Sequence, residues 1–170
     1  AAYECGQAVH GLVREFVDGE VESRPHAADH DRYVERAIDR TVAAVTDEFE
    51  RARFHRVIAE LEEFVGLLRR YRDHRPPSRH TYARALRTLA ALVAPVAPFL
   101  AEECWSLLGE PGLAVEADWP EPLRDADDYR TERAVVRSTL DDVRRITDVV
   151  GIDDPERIDL AVAPAWKYRA

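Results

Sequence analysis

Between positions 69 and 87 the chain carries Arg69, Arg70, Arg72, Arg75, Arg79, Arg84 and Arg87, opposed only by Asp73. A guanidinium is a planar fork of donors that grips phosphate in a bidentate way and stacks on bases. In a chain of net charge −9, so local a concentration of cations suggests a phosphate-facing surface. The same arginines also suit a second use, pairing with Asp and Glu on neighbouring helices. Sequence alone leaves both uses open.

Other chemistry is sparse. His26 and His30 have the i, i+4 spacing of two ligands on a helix face, but a zinc site needs at least three and Pro25 argues against helix there. No G-x-x-x-x-G-K, G-x-G-x-x-G, H-E-x-x-H or C-x-x-C occurs. The Glu-x-x-His pairs of a di-iron bundle enzyme are missing as well. His55 and Cys104 sit beside apolar positions and read as packing residues. With no nucleophile, base and orienter in sight, no active site is expected in this chain.

The arginines lie on elements that the sequence punctuates clearly. Arg75-Pro-Pro-Ser78 breaks one helix, and Ser78 caps the next, which runs to Ala94. The stretch Leu92–Trp105, LVAPVAPFLAEECW, then halts that helix and restarts it. Each of Pro95 and Pro98 lacks an N–H and disfavours helix in the residue before it. Pro98 suits a first helical position, Glu102 and Glu103 lie near the positive end of the new dipole, and Gly109 supplies a stop. Upstream, Tyr3–Asp18 places Val9, Leu12, Val13, Phe16 and Val17 on one stripe ending at Gly19. Asp31 is read as the cap of a second helix with Val34, Ile38, Thr41, Val42, Val45 and Phe49. A further run holds Phe54, Val57, Ile58, Leu61, Val65, Leu68 and Tyr71. The last two stripes do not superimpose, so a tight corner is placed near Arg51–Phe54. Successive apolar stripes with short connections predict an all-α, antiparallel helical bundle.

After Gly109 the pattern changes. Residues 113–122 read as an extended strap anchored on the bundle by Trp119 and closed by two prolines. A helix over about Thr131–Val150 is expected to bury Val136, Leu140, Val143, Ile146 or Thr147, and Val150. Arg157–Ala163 alternates like a β-strand, whose partners would belong to a following domain. At 170 residues and 46% apolar, the chain can bury a real core. No apolar run reaches membrane-spanning length, and no basic, apolar, small-residue stretch reads as a leader. Cys5 and Cys104 fit one disulfide or, in a cytoplasmic protein, two reduced thiols. Methionine is missing even at position 1, which suggests an excised piece of a longer protein. Asparagine is missing too, and Lys167 is the only lysine. An acidic, lysine-poor composition is similar to that of proteins from salt-loving archaea, whose surfaces must stay hydrated while salt screens repulsion.

Taken in order, Arg53-Phe54, Phe64-Val-Gly-Leu-Leu-Arg-Arg-Tyr71, LVAPVAPFLAEECWSLLG and VEADWPEP resemble the anticodon-binding helical domain of the class I aminoacyl-tRNA synthetases for leucine, isoleucine, valine and methionine. The resemblance covers about residues 31–125. The tail RIDLAVAPAWKYR looks like the segment opening the C-terminal region of archaeal-type leucyl-tRNA synthetases, which favours leucine over the valine and isoleucine families. Two positions depart from the pattern. Tyr33-Val34 stands where family members often carry Trp-Leu, and Ala165 where they often carry an acid, which leaves room for a paralogue rather than the housekeeping enzyme.

The resemblance implies three parts. Residues 1–30 would be a connecting helix and linker following a catalytic domain, 31–150 the bundle, and 151–170 the truncated start of a C-terminal domain. It implies a cytoplasmic parent enzyme that ligates leucine to tRNA(Leu) with ATP and Mg2+, while this piece, lacking the HIGH and KMSKS motifs, holds no cofactor. Its partners would be tRNA(Leu) and the catalytic and C-terminal domains of the parent chain, with no membrane. Leucine enzymes generally do not depend on reading the anticodon, so backbone and shape contacts along the tRNA are expected. The tRNA-binding candidates are Arg69, Arg70, Arg72, Arg75, Arg79, Arg84 and Arg87, followed by Trp166, Lys167 and Arg169. The rival expectation is a helical protein-interaction module, which would show an exposed apolar patch and no RNA binding.

Overall fold

The structure is a computed structural model describing residues 2–26, 28–123, 127–152, 155 and 157–161, with backbone alone at 29 and 127–133. The chain divides into two compact units, Ala1–Glu132 and Arg133–Ala170. The described residues are helical and contain no strand.

In the first unit the helices are α1 (Ala2–Val17), α2 (Asp29–Glu50), α3 (Phe54–His74), α4 (Arg79–Val93) and α5 (Pro98–Leu107), followed by a 3₁₀ turn at Ala114–Glu116. Their directions follow from which residues meet. Glu35 and Asp39 of α2 bond Thr81 and Arg84 of α4, so these two run parallel. Helix α3, joined to both by short turns, runs against them. Helix α5 runs alongside α1, with Gly6 against Leu100 and His10 3.0 Å from Glu103. The antiparallel bundle predicted from the stripes is the fold observed.

Its core is the set of stripes brought together. Val9, Leu12, Val13, Ile38, Val42, Leu61, Leu68, Leu86, Leu89, Leu92 and Cys104 are all buried. Apolar area removed from water stabilises at roughly 25 cal/mol per Å². Two members of the predicted stripes lie outside it. Val17, in the last turn of α1, is exposed. Phe54, at the first position of α3, is 57% exposed and meets Phe49 edge-on.

Helix ends follow the sequence punctuation with two corrections, the first being that Glu102 and Glu103 lie beyond the first turn of α5, which holds no acid. The Ser78 side chain accepts from Thr81 N, Pro98 opens α5, and Gly109 has φ +74. The helix preceding the hinge ends at Val93, with Ala94 as its C-cap. Asp31, however, is not the N-cap of α2. Ala28 holds that place, and Asp31, three residues on, accepts from the Ala28 N–H at 2.6 Å. The same carboxylate gives the helix entry its bond from inside the first turn.

The strap is extended except for the 3₁₀ turn, whose Ala114 and Val115 N–H groups donate to the Glu102 carboxylate at 2.9 and 3.0 Å. Trp119 anchors it, donating to Thr46 Oγ1 at 2.8 Å and packing edge-on against Phe49. Leu123 N then donates to Asp39, which also accepts from Arg84.

Helix α6 (Asp127–Val150) lies mostly in the second unit. Its predicted stripe is not buried. Val136, Leu140, Ile146 and Val150 are exposed, and Val143 and Thr147 are half-buried. Amphipathic spacing makes the helix but does not supply a surface to cover it. Residues 157–161 form no strand, which corrects that expectation over this range: a strand needs neighbours to hold its backbone bonds. Residues 162–170 lie outside the described residues.

One core group is out of balance. Tyr82 is fully buried, and its hydroxyl has no hydrogen-bond partner among the described residues. Burial pushes its pKa up to about 12. Tyr82→Phe is expected to raise stability by about 1 kcal/mol, since it removes a desolvated group that bonds nothing. The variant should also lose part of an alkaline decline. The folded phenol keeps its proton above pH 10 while the unfolded one releases it, so stability falls as pH rises past 10. Urea titrations at pH 7 and pH 10.5 check both effects.

Candidate nucleic-acid interface

Antiparallel packing gathers the C-terminal ends of α1 and α3 and the N-terminal ends of α2 and α4 at one end of the bundle. The Arg75–Ser78 turn lies there, and the structure divides the predicted arginines into two groups. Arg72 pairs with Glu15 of α1 and, at 3.0 Å, with Asp73. Arg84 pairs with buried Asp39 at 2.5 Å, and Arg87 with Glu110 at 2.5 Å. For these three, pairing with acids of neighbouring elements is what the fold does.

Arg69, Arg70, Arg75 and Arg79 are exposed, and none makes an ion pair to a described residue. Arg69 and Arg70 stand on the outer face of α3, where the Arg70 guanidinium lies close over Gly66. Arg75 is the extended C-cap of α3, and Arg79 is the first residue of α4, its guanidinium 5.0 Å from the Phe16 ring centroid. At 1.5 Å of rise per residue, Arg69 and Arg75 are about 9 Å apart along the helix axis. Four guanidiniums thus offer free donors along the end of α3 and around the turn. Trp166, Lys167 and Arg169 fall outside the described residues.

What fixes this end is a polar network that sequence reading missed. Asp31, 1% exposed, accepts from the Tyr71 hydroxyl, from Arg24 Nη2 at 2.6 Å and from Ala28 N. Tyr71 Oη in turn accepts from Ser78 N at 3.0 Å. Arg24 Nη2 also lies 2.7 Å from His30 Nε2; as arginine has no acceptor, the imidazole nitrogen accepts. Burial works against the Asp31 charge, but the bonds from Arg24, Tyr71 and Ala28 outweigh it and hold the carboxyl below its usual range. Burial and the Asp31 carboxylate raise the Tyr71 phenol well above its usual range. Asp31 and Tyr71 are 40 residues apart, beyond the reach of any local pattern. The local signals were Asp31 and Ser78 near helix starts and the Pro76-Pro77 break, two successive carbonyls whose own residues bring no N–H.

Neither cysteine is placed as a nucleophile. Cys5 and Cys104 are buried free thiols, and burial, with Glu103 adjacent, pushes the Cys104 pKa up to about 11. A thiol so raised is a poor nucleophile. His55, read as a packing residue, is instead exposed, because it lies in the first turn of α3 beside exposed Phe54. No group of three His, Cys, Asp or Glu able to hold a metal occurs among the described residues, His26 and His30 included. No helix there is long and apolar enough to cross a membrane.

Comparison with known proteins fits this picture. Residues 31–162 match the family described as the anticodon-binding domain of tRNA ligase. The leucine–tRNA ligase of Halobacterium salinarum is 40% identical over 136 residues, 80% of this chain and 15% of that protein. The Aeropyrum pernix enzyme of the same name is 33% identical over 82% of this chain and 15% of its own length. That of Pyrococcus horikoshii is 27% identical over 93% and 17% respectively. The chain thus spans about a sixth of the length of these relatives. With a match over most of its length and a bundle of the expected architecture, the chain belongs to the anticodon-binding domain family of tRNA ligases.

Proposed function

We propose that this bundle holds tRNA(Leu) by its backbone while the catalytic part of a leucine–tRNA ligase acts on the acceptor end. The observation that carries the reading is the set of four exposed guanidiniums, Arg69, Arg70, Arg75 and Arg79, none ion-paired to a described residue, on a family member of net charge −9. In an acidic protein, general electrostatic attraction to RNA is absent, so binding must come from a local cationic face. Leucine is the amino acid named for the relatives cited above, and the halophilic relative agrees with the lysine-poor composition. A cytoplasmic parent enzyme follows from the same reading.

ATP and Mg2+ belong to that parent activity, and the residues described here do not fit them. No metal-binding group and no glycine-rich phosphate loop is present among them. No chemical step is therefore assigned to this chain.

Fluorescence anisotropy with labelled leucine and valine tRNAs across a salt series tests the reading. Backbone gripping predicts binding to both within a few-fold, with log K falling linearly in log salt. Strong preference for one tRNA that persists as salt rises would instead assign base-specific readout. Absence of binding at low salt would overturn the proposal.

A further inference from the structure

Arg24 stands at the arginine-rich end of the bundle, yet its groups are engaged within its own chain. Its backbone N–H donates to Pro77 O at 3.0 Å, and its carbonyl accepts from Arg79 N at 3.0 Å, an isolated parallel bridge between Arg24 and Ser78. Its Nε donates to Pro76 O at 2.8 Å, Nη1 to His26 O at 2.5 Å, and Nη2 to Asp31 at 2.6 Å. Neither Pro76 nor Pro77 has an N–H, so neither can build a ladder of its own to steady the turn. Beside the helix-start bonds that Thr81 N and Tyr82 N give to Ser78, the bonds that hold residues 76–79 come from Arg24 and, through Ser78 N, from Tyr71.

Arg75 precedes this four-residue turn and Arg79 ends it. Each stands where the turn sends it, Arg75 from an extended backbone and Arg79 from the first turn of α4. Loss of the Arg24 fork would release the Pro76 carbonyl of the turn and the His26 carbonyl of the preceding linker, leaving the turn to the Arg24–Ser78 backbone bridge and the Tyr71 bond and spreading both guanidiniums over a larger volume. A contact made by a spread group gives up ordering entropy that a fixed one has already lost.

We propose that Arg24 is a positioning residue for RNA binding: it touches no RNA, and it fixes the Pro76–Arg79 turn so that Arg75 and Arg79 are presented together. This rests on the function proposed above. Lysine at position 24 would keep the charge but, as a point donor without a fork, cannot serve Pro76, His26 and Asp31 together.

A double-mutant cycle on the 170-residue chain with leucine tRNA separates the possibilities. The variants are Arg24→Lys, the pair Arg75→Ala with Arg79→Ala, and the triple, each verified as folded by circular dichroism at the binding temperature. The expected result is that Arg24→Lys weakens binding about fivefold in the native background and has no further effect once Arg75 and Arg79 are gone, a coupling within the range for residues of one network. Equal weakening in both backgrounds would make Arg24 a direct phosphate contact or a general stabiliser and overturn the inference. No weakening by Arg24→Lys, with the pair still damaging, would also overturn it while leaving the proposed function standing. A pair without effect on binding would remove Arg75 and Arg79 from the proposed function, and the inference with them. Amide exchange at Arg79 gives a second readout, expected to quicken in Arg24→Lys relative to core amides of α4.

Discussion

Asp31→Ala is expected to destabilise the bundle by about 3 kcal/mol, among the largest losses available to a single substitution here. Removing one member of a buried pair leaves the other charge uncompensated, which costs roughly 3–5 kcal/mol. The lower end applies because the Arg24 side chain is 25% exposed and regains some water. The substitution also leaves the Tyr71 hydroxyl without its acceptor and the Ala28 N–H without its bond. Urea unfolding at pH 7 measures the loss, and a change under 1 kcal/mol would contradict the account. The pH dependence adds a second check. Folded Asp31 binds its proton less readily than the unfolded residue, whose ordinary value is 3.8. Its contribution is therefore present above about pH 4 and lost as pH falls through the depressed folded value. Asp31→Asn should flatten that part of the acid limb.

The second large effect concerns RNA. Changing Arg69, Arg70, Arg75 and Arg79 together to Ala should weaken tRNA binding roughly 30-fold or more at low salt. Exposed ionic contacts are each worth up to about 1 kcal/mol, so four at about half that value amount to about 2 kcal/mol, and 1.4 kcal/mol is tenfold. Fold stability should change by no more than about 1 kcal/mol, because none of the four makes an ion pair to a described residue and only the Arg79–Phe16 ring contact is lost. Arg72, Arg84 and Arg87 supply the contrast. Each is tied to an acid, Arg84 to one buried beneath it, so Ala at these three positions should lower the melting temperature and move RNA affinity far less. Anisotropy and thermal unfolding on the same samples separate the two sets.

Most of the bundle was legible because its signals are local. Pro95 and Pro98 cannot continue a helix, Ser78 is a cap wherever a helix follows it, and apolar spacing of 3.6 marks a face. The α2–α3 corner was legible only indirectly, from stripes that failed to superimpose. No glycine marks it, and Ala52 takes the left-handed conformation there at φ +54. What stayed hidden depends on contacts distant in sequence. An arginine beside an acid of another helix looks the same on paper as one facing solvent, so only the fold separates Arg72 from Arg70. The role of Asp31 was misplaced by three residues for a similar reason. An aspartate near a helix start fits the cap or the first turn equally well, and Arg24 and Tyr71 decide between them. The apolar stripe of α6 shows the opposite failure: its period was read correctly, while burial requires a partner surface that period does not describe.

The claim that free arginines at the α3–α4 end grip the RNA backbone is tested most directly by the slope of log K against log salt. The wild type and the Arg69, Arg70, Arg75, Arg79 alanine variant would each be titrated with leucine tRNA. Each phosphate contact contributes about 0.7–0.9 to that slope. The account predicts a slope shallower by about 3 in the variant, with weaker binding at low salt and convergence of the two curves as salt rises. Equal slopes in the two proteins would contradict it and place the RNA contacts on another surface.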